Sequence, residues 1–317
     1  MFDFSSRLTK IGVLGLNRRN IDFIARFNER RLYPLVDDKV LTKHLAQKAG
    51  IAVPKLYFII EFQHQTLDLF RLLQPYHDFV LKPARGSGGE GVLVITGRMK
   101  ENFRASSGDL YSYDDLSYYI SRILSGVFSL GGHADRVICE YRVKYSSVFE
   151  KITYLGVPDI RIIVFQGVPV MSMVRLPTRH SKGKANLHQG AIGAGIDLAT
   201  GITLPAVWRN QIIEDHPDTG HTVSGIQIPD WRDLLALAAR SFDLTGLGYI
   251  GVDIILDENL GPMLLELNAR PGLNIQLANQ AGLLPRLKSV EEARHRLKTL
   301  DDRVSFAQES QVFKNYR

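Results

Sequence analysis

The sequence predicts an α+β protein, with helices packed on antiparallel hairpins. Three observations carry that prediction. Apolar residues recur at helical spacing in separated stretches, as at Leu116, Ile120, Ile123, Leu124 and Val127. Two pairs of β-rich runs are joined by short turn sequences, Gln166-Gly167 and Asp257-Glu258-Asn259-Leu260-Gly261. A glycine-rich loop lies between two further runs, Phe79–Pro83 and Val92–Ile95, rather than between a strand and a helix.

Taken in order, residues 17–31 (Asn17-Arg18-Arg19-Asn20 through Arg30-Arg31) form a basic stretch. Ile21, Ile24 and Phe27 stand at helical spacing there, with Arg26 and Arg30, giving a basic amphipathic helix. Such a helix meets a membrane surface, a partner, or its own domain. Asp37 or Asp38 caps a helix with Val40, Leu41, Leu45 and Ala46 on its apolar face and Gly50 at its stop. A strand is expected over Lys55–Ile60, a helix over Thr66–Leu73 and a strand over Val137–Val143. Ile160–Phe165 and Val168–Val174 read as a hairpin, and Leu176–Gly201, glycine-rich and without period, as a long loop or flap. Trp231, Leu234, Leu235, Ala238 and Phe242 mark a helix closed by Gly246; Tyr249–Leu256 and Met263–Leu267 read as strands. Ser289 and Glu292 have capping-box spacing at the head of a polar C-terminal helix.

With 317 residues, 45% apolar and 23% charged, the chain can bury a sizeable core. It contains no apolar run of transmembrane length, and the N-terminal residues lack the pattern of a secretory signal. A single cysteine, Cys139, excludes a disulfide framework and reads as a small buried residue. A cytoplasmic location is the expectation. The net charge of +6 is scattered and not interleaved with aromatic runs, so no nucleic-acid partner is expected.

The glycine loop is Lys82-Pro83-Ala84-Arg85-Gly86-Ser87-Gly88-Gly89-Glu90-Gly91. Gly86, Gly88 and Gly91 satisfy the spacing of a dinucleotide fingerprint, but the helix that fingerprint requires is replaced by a strand. No Gly-Lys-Ser/Thr follows, which excludes a P-loop. A protein kinase is excluded because Lys82 precedes its glycines and the other kinase motifs are absent. A strand lysine beside a glycine hairpin tip suits phosphate, since glycines let backbone N–H groups approach the oxygens and the lysine adds a point charge. The plainer alternative is a flexible hairpin.

Glu266 and Asn268 are two apart on one strand and so leave the same face. A turn over Glu258–Gly261 puts Asp253 opposite Glu266; a slip of one residue would turn it away. Two carboxylates and an amide oxygen on one face make a site for a hard cation such as Mg²⁺, with Mn²⁺ as the substitute. The alternative is a solvated acidic face.

These features, in this order, resemble the ATP-grasp superfamily, and within it the RimK-type glutamate ligases and their alpha-L-glutamate ligase-related branch. The likeness runs from about Asp37 to Gln280 and includes Asp38-Lys39, the glycine loop, residues 137–143, Asp159-Ile160-Arg161, Met173-Val174-Arg175, residues 184–190, Gly251-Val252-Asp253 and residues 266–272. It implies an ATP-grasp fold, two α+β subdomains with ATP between them, lacking a full N-terminal pre-ATP-grasp domain. The implied divisions are 1–36, a short basic segment; 37–144, a subdomain with the glycine loop; 145–285, a subdomain with the metal site; and 286–317, a helical tail.

The resemblance further implies an ATP-dependent carboxylate-amine ligase that adds glutamate or another amino acid through an acyl phosphate. Its rivals are a kinase that stops at γ-phosphoryl transfer and a non-catalytic nucleotide-binding module. Lys39, Lys82 and the loop residues Gly86, Ser87, Gly88, Gly89 and Gly91 would contact ATP phosphates; Glu140 would accept from the adenine amino group, with Tyr141 and Val143 along the ring edge. Asp253, Glu266 and Asn268 would hold Mg²⁺, while Arg161, Arg175, Lys184, Asn186 and Arg270 would surround the γ-phosphate and activated carboxyl. Arg175 and Lys184 also read as surface charges, and His188 more readily as a structural loop residue than as a base. The resemblance implies a substrate that is a small molecule or peptide with carboxylate and amine, in a site that the short N-terminus, a second copy or a partner protein would complete.

Overall fold

The computed structural model describes residues 10–86 and 88–314, all but the side chain of residue 130. The chain separates into two compact units: Asp38–His44 with Val53–Lys144, and Met1–Asp37, Leu45–Ala52 and Tyr145–Arg317 together.

The smaller unit is built on an antiparallel sheet of β1 (Leu56–Ile60), β2 (Phe79–Pro83), β3 (Leu93–Met99), β4 (Asn102–Ala105), β5 (Leu110–Tyr111) and β6 (Val137–Glu140), in the order β1-β6-β2-β3-β4-β5. One sheet face carries the core, with Phe79, Leu81, Ile95, Phe103 and Cys139 packed against Leu116, Ile120 and Ile123. Those last three lie on the helix Tyr113–Leu124, which Ser112 and Asp115 open with a capping box. The helix stops earlier than its apolar spacing predicts: Gly126 turns at φ +85° and Val127 is exposed. The 66–73 stretch is a 3₁₀ segment, Gln63–Asp68, followed by the short helix Leu69–Leu73. On the opposite sheet face, Val40 packs with Ala84 and Ile138. Val40 belongs to the helix Lys39–Lys48, capped as expected by Asp38, whose Oδ1 accepts from Val40 N at 3.1 Å.

The larger unit contains a second antiparallel sheet: β7 (Asp159–Phe165), β8 (Val168–Leu176), β9 (Ile192–Ile196), β10 (Thr203–Trp208), β11 (Gln211–Ile213), β12 (Tyr249–Asp257) and β13 (Gly261–Asn268). Its order is β11-β10-β9-β8-β7-β12-β13. Gln166 (φ +47°) and Gly167 (φ +81°) close the β7–β8 hairpin with both central residues left-handed, the geometry of a tight hairpin turn. The helix Trp231–Thr245 ends at Gly246 as the sequence predicts. The basic N-terminal stretch is helical from Leu16 to Phe27 through a π-helical segment, Arg19–Ile24. It docks on its own unit: Phe23 and Phe27 meet the Phe165 ring edge-on, at 5.5 and 5.0 Å between centroids, and Arg26 pairs with Glu291.

Two expectations are corrected. The 176–201 stretch is not a continuous loop, because Ile192–Ile196 is a fully buried strand between β8 and β10. Its glycines hid it. A Cβ on Gly195 would lie 2.7 Å from the carbonyl oxygen of Ala278, so the helix Ile275–Asn279 can approach only a bare backbone. Ser289 does not open a helix either. It lies inside Leu284–Ala293, donating to the carbonyl of Arg286, and the capping box sits ahead at Thr299 and Asp302, opening Leu300–Glu309.

Candidate functional site

In the smaller unit the site residues gather on the sheet face opposite the main core. Val80 pairs with Glu140 and Lys82 with Ile138, so Lys82 and Glu140 leave the same face of neighbouring strands. Lys82 Nζ lies 2.5 Å from Glu140 Oε1. A residue outside the expected set completes the group: Lys43 Nζ lies 2.8 Å from Glu140 Oε2 and donates to the Pro54 carbonyl at 2.7 Å. All three side chains are buried. The two ammonium groups, Lys82 foremost, hold the Glu140 carboxyl below its usual range against the opposing effect of burial. Burial lowers Lys43 to about 8. Among the described residues Oε2 is buried and faces Lys43 alone, in an ion pair at 2.8 Å, and a carboxylate oxygen has room for a second donor. Such an oxygen suits a ligand N–H.

The glycine loop is anchored at its base. Asp135 accepts from the backbone N–H groups of Arg85 and Arg136 and from Ser129 Oγ. Lys39 Nζ donates to the Gly86 carbonyl at 2.5 Å. Gly88 and Gly89 are consecutively left-handed, at φ +66° and +75°. Gly91, also left-handed, would drive a Cβ to 2.7 Å from the Phe128 ring. Only glycine meets both demands. Ser87, expected among the phosphate contacts, lies outside the described residues. Strand β6 stops at Glu140, short of the predicted Val143, and the Tyr141 N–H is engaged by the Lys55 carbonyl at 2.8 Å. Tyr141 would have to give up that bond to offer its N–H to a ring edge. Cys139 is buried on the core face, which pushes its thiol pKa up.

In the larger unit, Asp253 pairs with Glu266 on one side and with Arg161 on the other, and a bulge follows Asp253. Asp159 pairs with Arg175 two residues along. All five side chains therefore rise from one face, with Asn268 beside them. Arg161 clamps Asp253 through Nε and Nη2, the latter at 2.6 Å. Arg175 clamps Asp159 at 2.5 and 2.6 Å and reaches Asp253 Oδ2 at 2.8 Å. Asn268 Nδ2 is 3.4 Å from the same oxygen. The guanidiniums, Arg161 first, hold the Asp253 carboxyl below its ordinary range despite its burial. Asp159 moves the other way, to about 6, because burial outweighs the attraction of Arg175 and Asp253 adds repulsion. The pair of carboxylates raises Arg175. Arg175 is thus no surface charge.

Both arginines spend Nε and Nη2 on carboxylates, and among the described residues neither Nη1 has an acceptor. Three carboxylates, Asp159, Asp253 and Glu266, share this face with the two guanidiniums. That donor set of carboxylates plus an amide suits Mg²⁺, with Asp253 already charge-compensated. Among the described residues no group of three or more His, Cys, Asp or Glu side chains could hold a metal alone.

Lys184, Asn186 and Arg270 are not joined to this network by any hydrogen bond or ion pair among the described residues. Asn186 caps the turn Leu187–Gln189 by accepting from His188 N, and His188 is exposed. Their loop is pinned through Gly190, whose carbonyl accepts from Thr178 Oγ1 and Trp208 Nε1. Arg270 is exposed, its guanidinium 5.1 Å from the Tyr33 ring centroid. Sequence reasoning missed Lys43 and Asp159 as site members. Lys43 carried one signal, its place four residues after Lys39 on the same helix.

A family model described as sugar-transfer associated ATP-grasp matches residues 18–292. A protein of Maridesulfovibrio salexigens named probable alpha-L-glutamate ligase is 25% identical over 236 residues, which is 74% of this chain. The chain spans 56% of that relative's length. Among solved structures, the ATP-grasp ligase PsnB complexed with minimal precursor is 16% identical, with a TM-score of 0.47, covering 85% of this chain and 63% of that one. The D-alanine–D-alanine ligase from Bacillus anthracis is also 16% identical, with a TM-score of 0.44 and coverage of 87% and 68%. No helix among the described residues is long and apolar enough to cross a membrane.

Proposed function

The chain belongs to the sugar-transfer associated ATP-grasp family, and from that premise we propose that it is an ATP-dependent ligase: it activates a carboxylate as an acyl phosphate and passes the acyl group to an amine. The observation that supports this most is the face on which Asp253 stands between Arg161 and Glu266, with Arg175 and Asn268 beside it.

A carboxylate is a poor acyl donor because its oxygen is a poor leaving group. Attack of that oxygen on the γ-phosphorus of ATP breaks the bond to the bridging oxygen, expels ADP and leaves an acyl phosphate; the amine then attacks the acyl carbon, loses a proton and expels phosphate. Transfer of the phosphoryl group demands alignment and neutralisation of charge spread over its oxygens. The Nη1 groups of Arg161 and Arg175 are donors held in fixed directions by Asp253 and Asp159. They bind and orient an anionic oxygen without rearranging. Glu266, Asn268 and Asp253 would hold Mg²⁺, which when bound supplies Lewis-acid neutralisation of phosphate oxygens. Lys39, Lys82 and the backbone of residues 86–91 bind phosphate, and Glu140 Oε2 accepts from the base. Arg270 and Asn186 supply donors for the oxyanion formed when the amine attacks.

The relative named probable alpha-L-glutamate ligase makes glutamate the first substrate to try. The test is an ADP-release screen of amino acids and peptides, paired as acid and amine, with Mg²⁺. ADP formation that requires both partners supports the ligase; formation with an acid or alcohol alone would convert the reading to a kinase.

A further inference from the structure

Lys43 was absent from every expectation, yet it completes a buried triad that has an internal difficulty. A phosphate competes with Glu140 Oε1, 2.5 Å away, for the Lys82 ammonium, whose charge and three N–H donors are then divided between the two anions. If Lys82 leaves, Glu140, which is 3% exposed, keeps its charge in a site that water does not reach. A buried carboxylate stripped of its partner is unstable and either takes up a proton or turns away. Lys43 is the group that prevents this. Its ammonium is tied to the Pro54 carbonyl, so it stays where it is when Lys82 moves. Its own helix is fixed to the same sheet face through Val40, packed on Ala84 and Ile138.

Resting on the ATP-dependent reading above, we propose that Lys43 is a positioning residue for nucleotide recognition: it holds the Glu140 carboxylate in place while Lys82 exchanges that carboxylate for a phosphate. Lys43 itself touches no nucleotide. It acts through Glu140, whose Oε2 it faces at 2.8 Å and whose remaining acceptor direction it leaves to the base. The consequence is that base recognition and phosphate binding draw on one carboxylate. A nucleotide that recruits Lys82 without Lys43 present loses the base contact.

The experiment measures nucleotide binding by the full chain, wild type, Lys43→Met and Lys43→Arg, by calorimetry with ATP and with GTP, and then kcat and KM for ATP in the ligase assay. Lys43→Met should weaken ATP at least tenfold while GTP changes less, so that the preference for ATP shrinks. KM should rise with kcat retained within a few-fold. Lys43→Arg, which keeps the charge and the reach to Pro54, should restore most of both. Equal loss for ATP and GTP, or a fall in kcat at unchanged KM, would overturn the positioning role. So would a Lys43→Met protein that keeps wild-type ATP affinity. Should Lys43→Met fail to fold, Lys43→Arg alone decides: a tenfold loss of ATP preference in that folded variant overturns the proposal. Absence of ATP binding by the wild type is the distinct outcome that removes the ATP-dependent reading itself.

Discussion

Replacing Asp253 by alanine should do two separable things. Asp253 is 2% exposed and takes a bidentate clamp from Arg161 and a third bond from Arg175. Its removal leaves Arg161 without its carboxylate and Arg175 with Asp159 alone. Removing one partner of a buried ion pair costs about 3–5 kcal/mol, most of it from the charge left behind. The residues concerned are nearly inaccessible, so no large discount for solvent applies: the side chains of Asp253 and Arg161 are 3% and 10% exposed. At about 2–4 °C per kcal/mol for a unit of this size, the midpoint of thermal unfolding should fall by roughly 6–20 °C. Domains are typically stable by about 5–15 kcal/mol, so the variant should remain folded at 20 °C while losing ATP turnover. Differential scanning fluorimetry and ADP release on the same samples read both effects. Glu266→Ala is the control: half-buried at the same register, it should lose turnover with a smaller shift in melting. An unchanged midpoint in Asp253→Ala would refute the ionic network, and retained turnover in either variant would refute the metal assignment.

Other outcomes follow from the same geometry. Lys43 is lowered to about 8 from an ordinary 10.5, so between those values the unfolded chain holds more protons than the folded one and stability rises with pH. Wild type should therefore gain stability relative to Lys43→Met from pH 8 to 10 in denaturant titrations, while its ATP affinity falls over the same range as Glu140 loses one of its two ammonium partners. Asp159, raised to about 6, takes up a proton in the folded state before the unfolded one, so its own contribution makes stability rise as pH falls from 6 towards 4; Asp159→Asn should remove that component. Gly91→Ala should raise KM for ATP, because a Cβ at 2.7 Å from Phe128 forces the loop base apart. Arg270→Ala should lower kcat by about 10²–10³, the usual effect of losing one oxyanion donor, with melting unchanged because the side chain is exposed.

The hairpin that carries Asp253 and Glu266 was legible because Leu265, Glu266, Leu267 and Asn268 alternate and its turn is marked by Asp257 to Gly261. The Asp253–Glu266 pairing holds for a reason the structure corrects: the turn is one residue shorter than expected, with Gly261 already paired to Asp257, and the bulge after Asp253 supplies the one-residue shift that sets Asp253 opposite Glu266. The glycine loop was legible because glycine is demanded there by backbone conformation. Strand β9 was hidden for the converse reason: Gly195 lies under the helix Ile275–Asn279 and Gly193 under the Leu187 side chain, and glycines at both positions remove the apolar side chains that announce a strand. Lys43 and Asp159 were hidden because their significance is tertiary. Lys43 becomes part of the site only when its helix lies on β2 and β6, and Asp159 only when Arg175 on the neighbouring strand β8 is paired against it and clamps its carboxylate. The basic N-terminal helix left its partner open in sequence. Phe23 and Phe27 resolve it by meeting the Phe165 ring edge-on.

The central claim is that a carboxylate oxygen attacks phosphorus before any amine reacts. Its most direct test uses an acid substrate whose carboxyl oxygens are ¹⁸O, turned over with ATP, Mg²⁺ and amine, with mass spectrometry of the phosphate released. Transfer through an acyl phosphate predicts one ¹⁸O in each phosphate and an amide product that retains the other. Unlabelled phosphate accompanying amide formation would contradict the account.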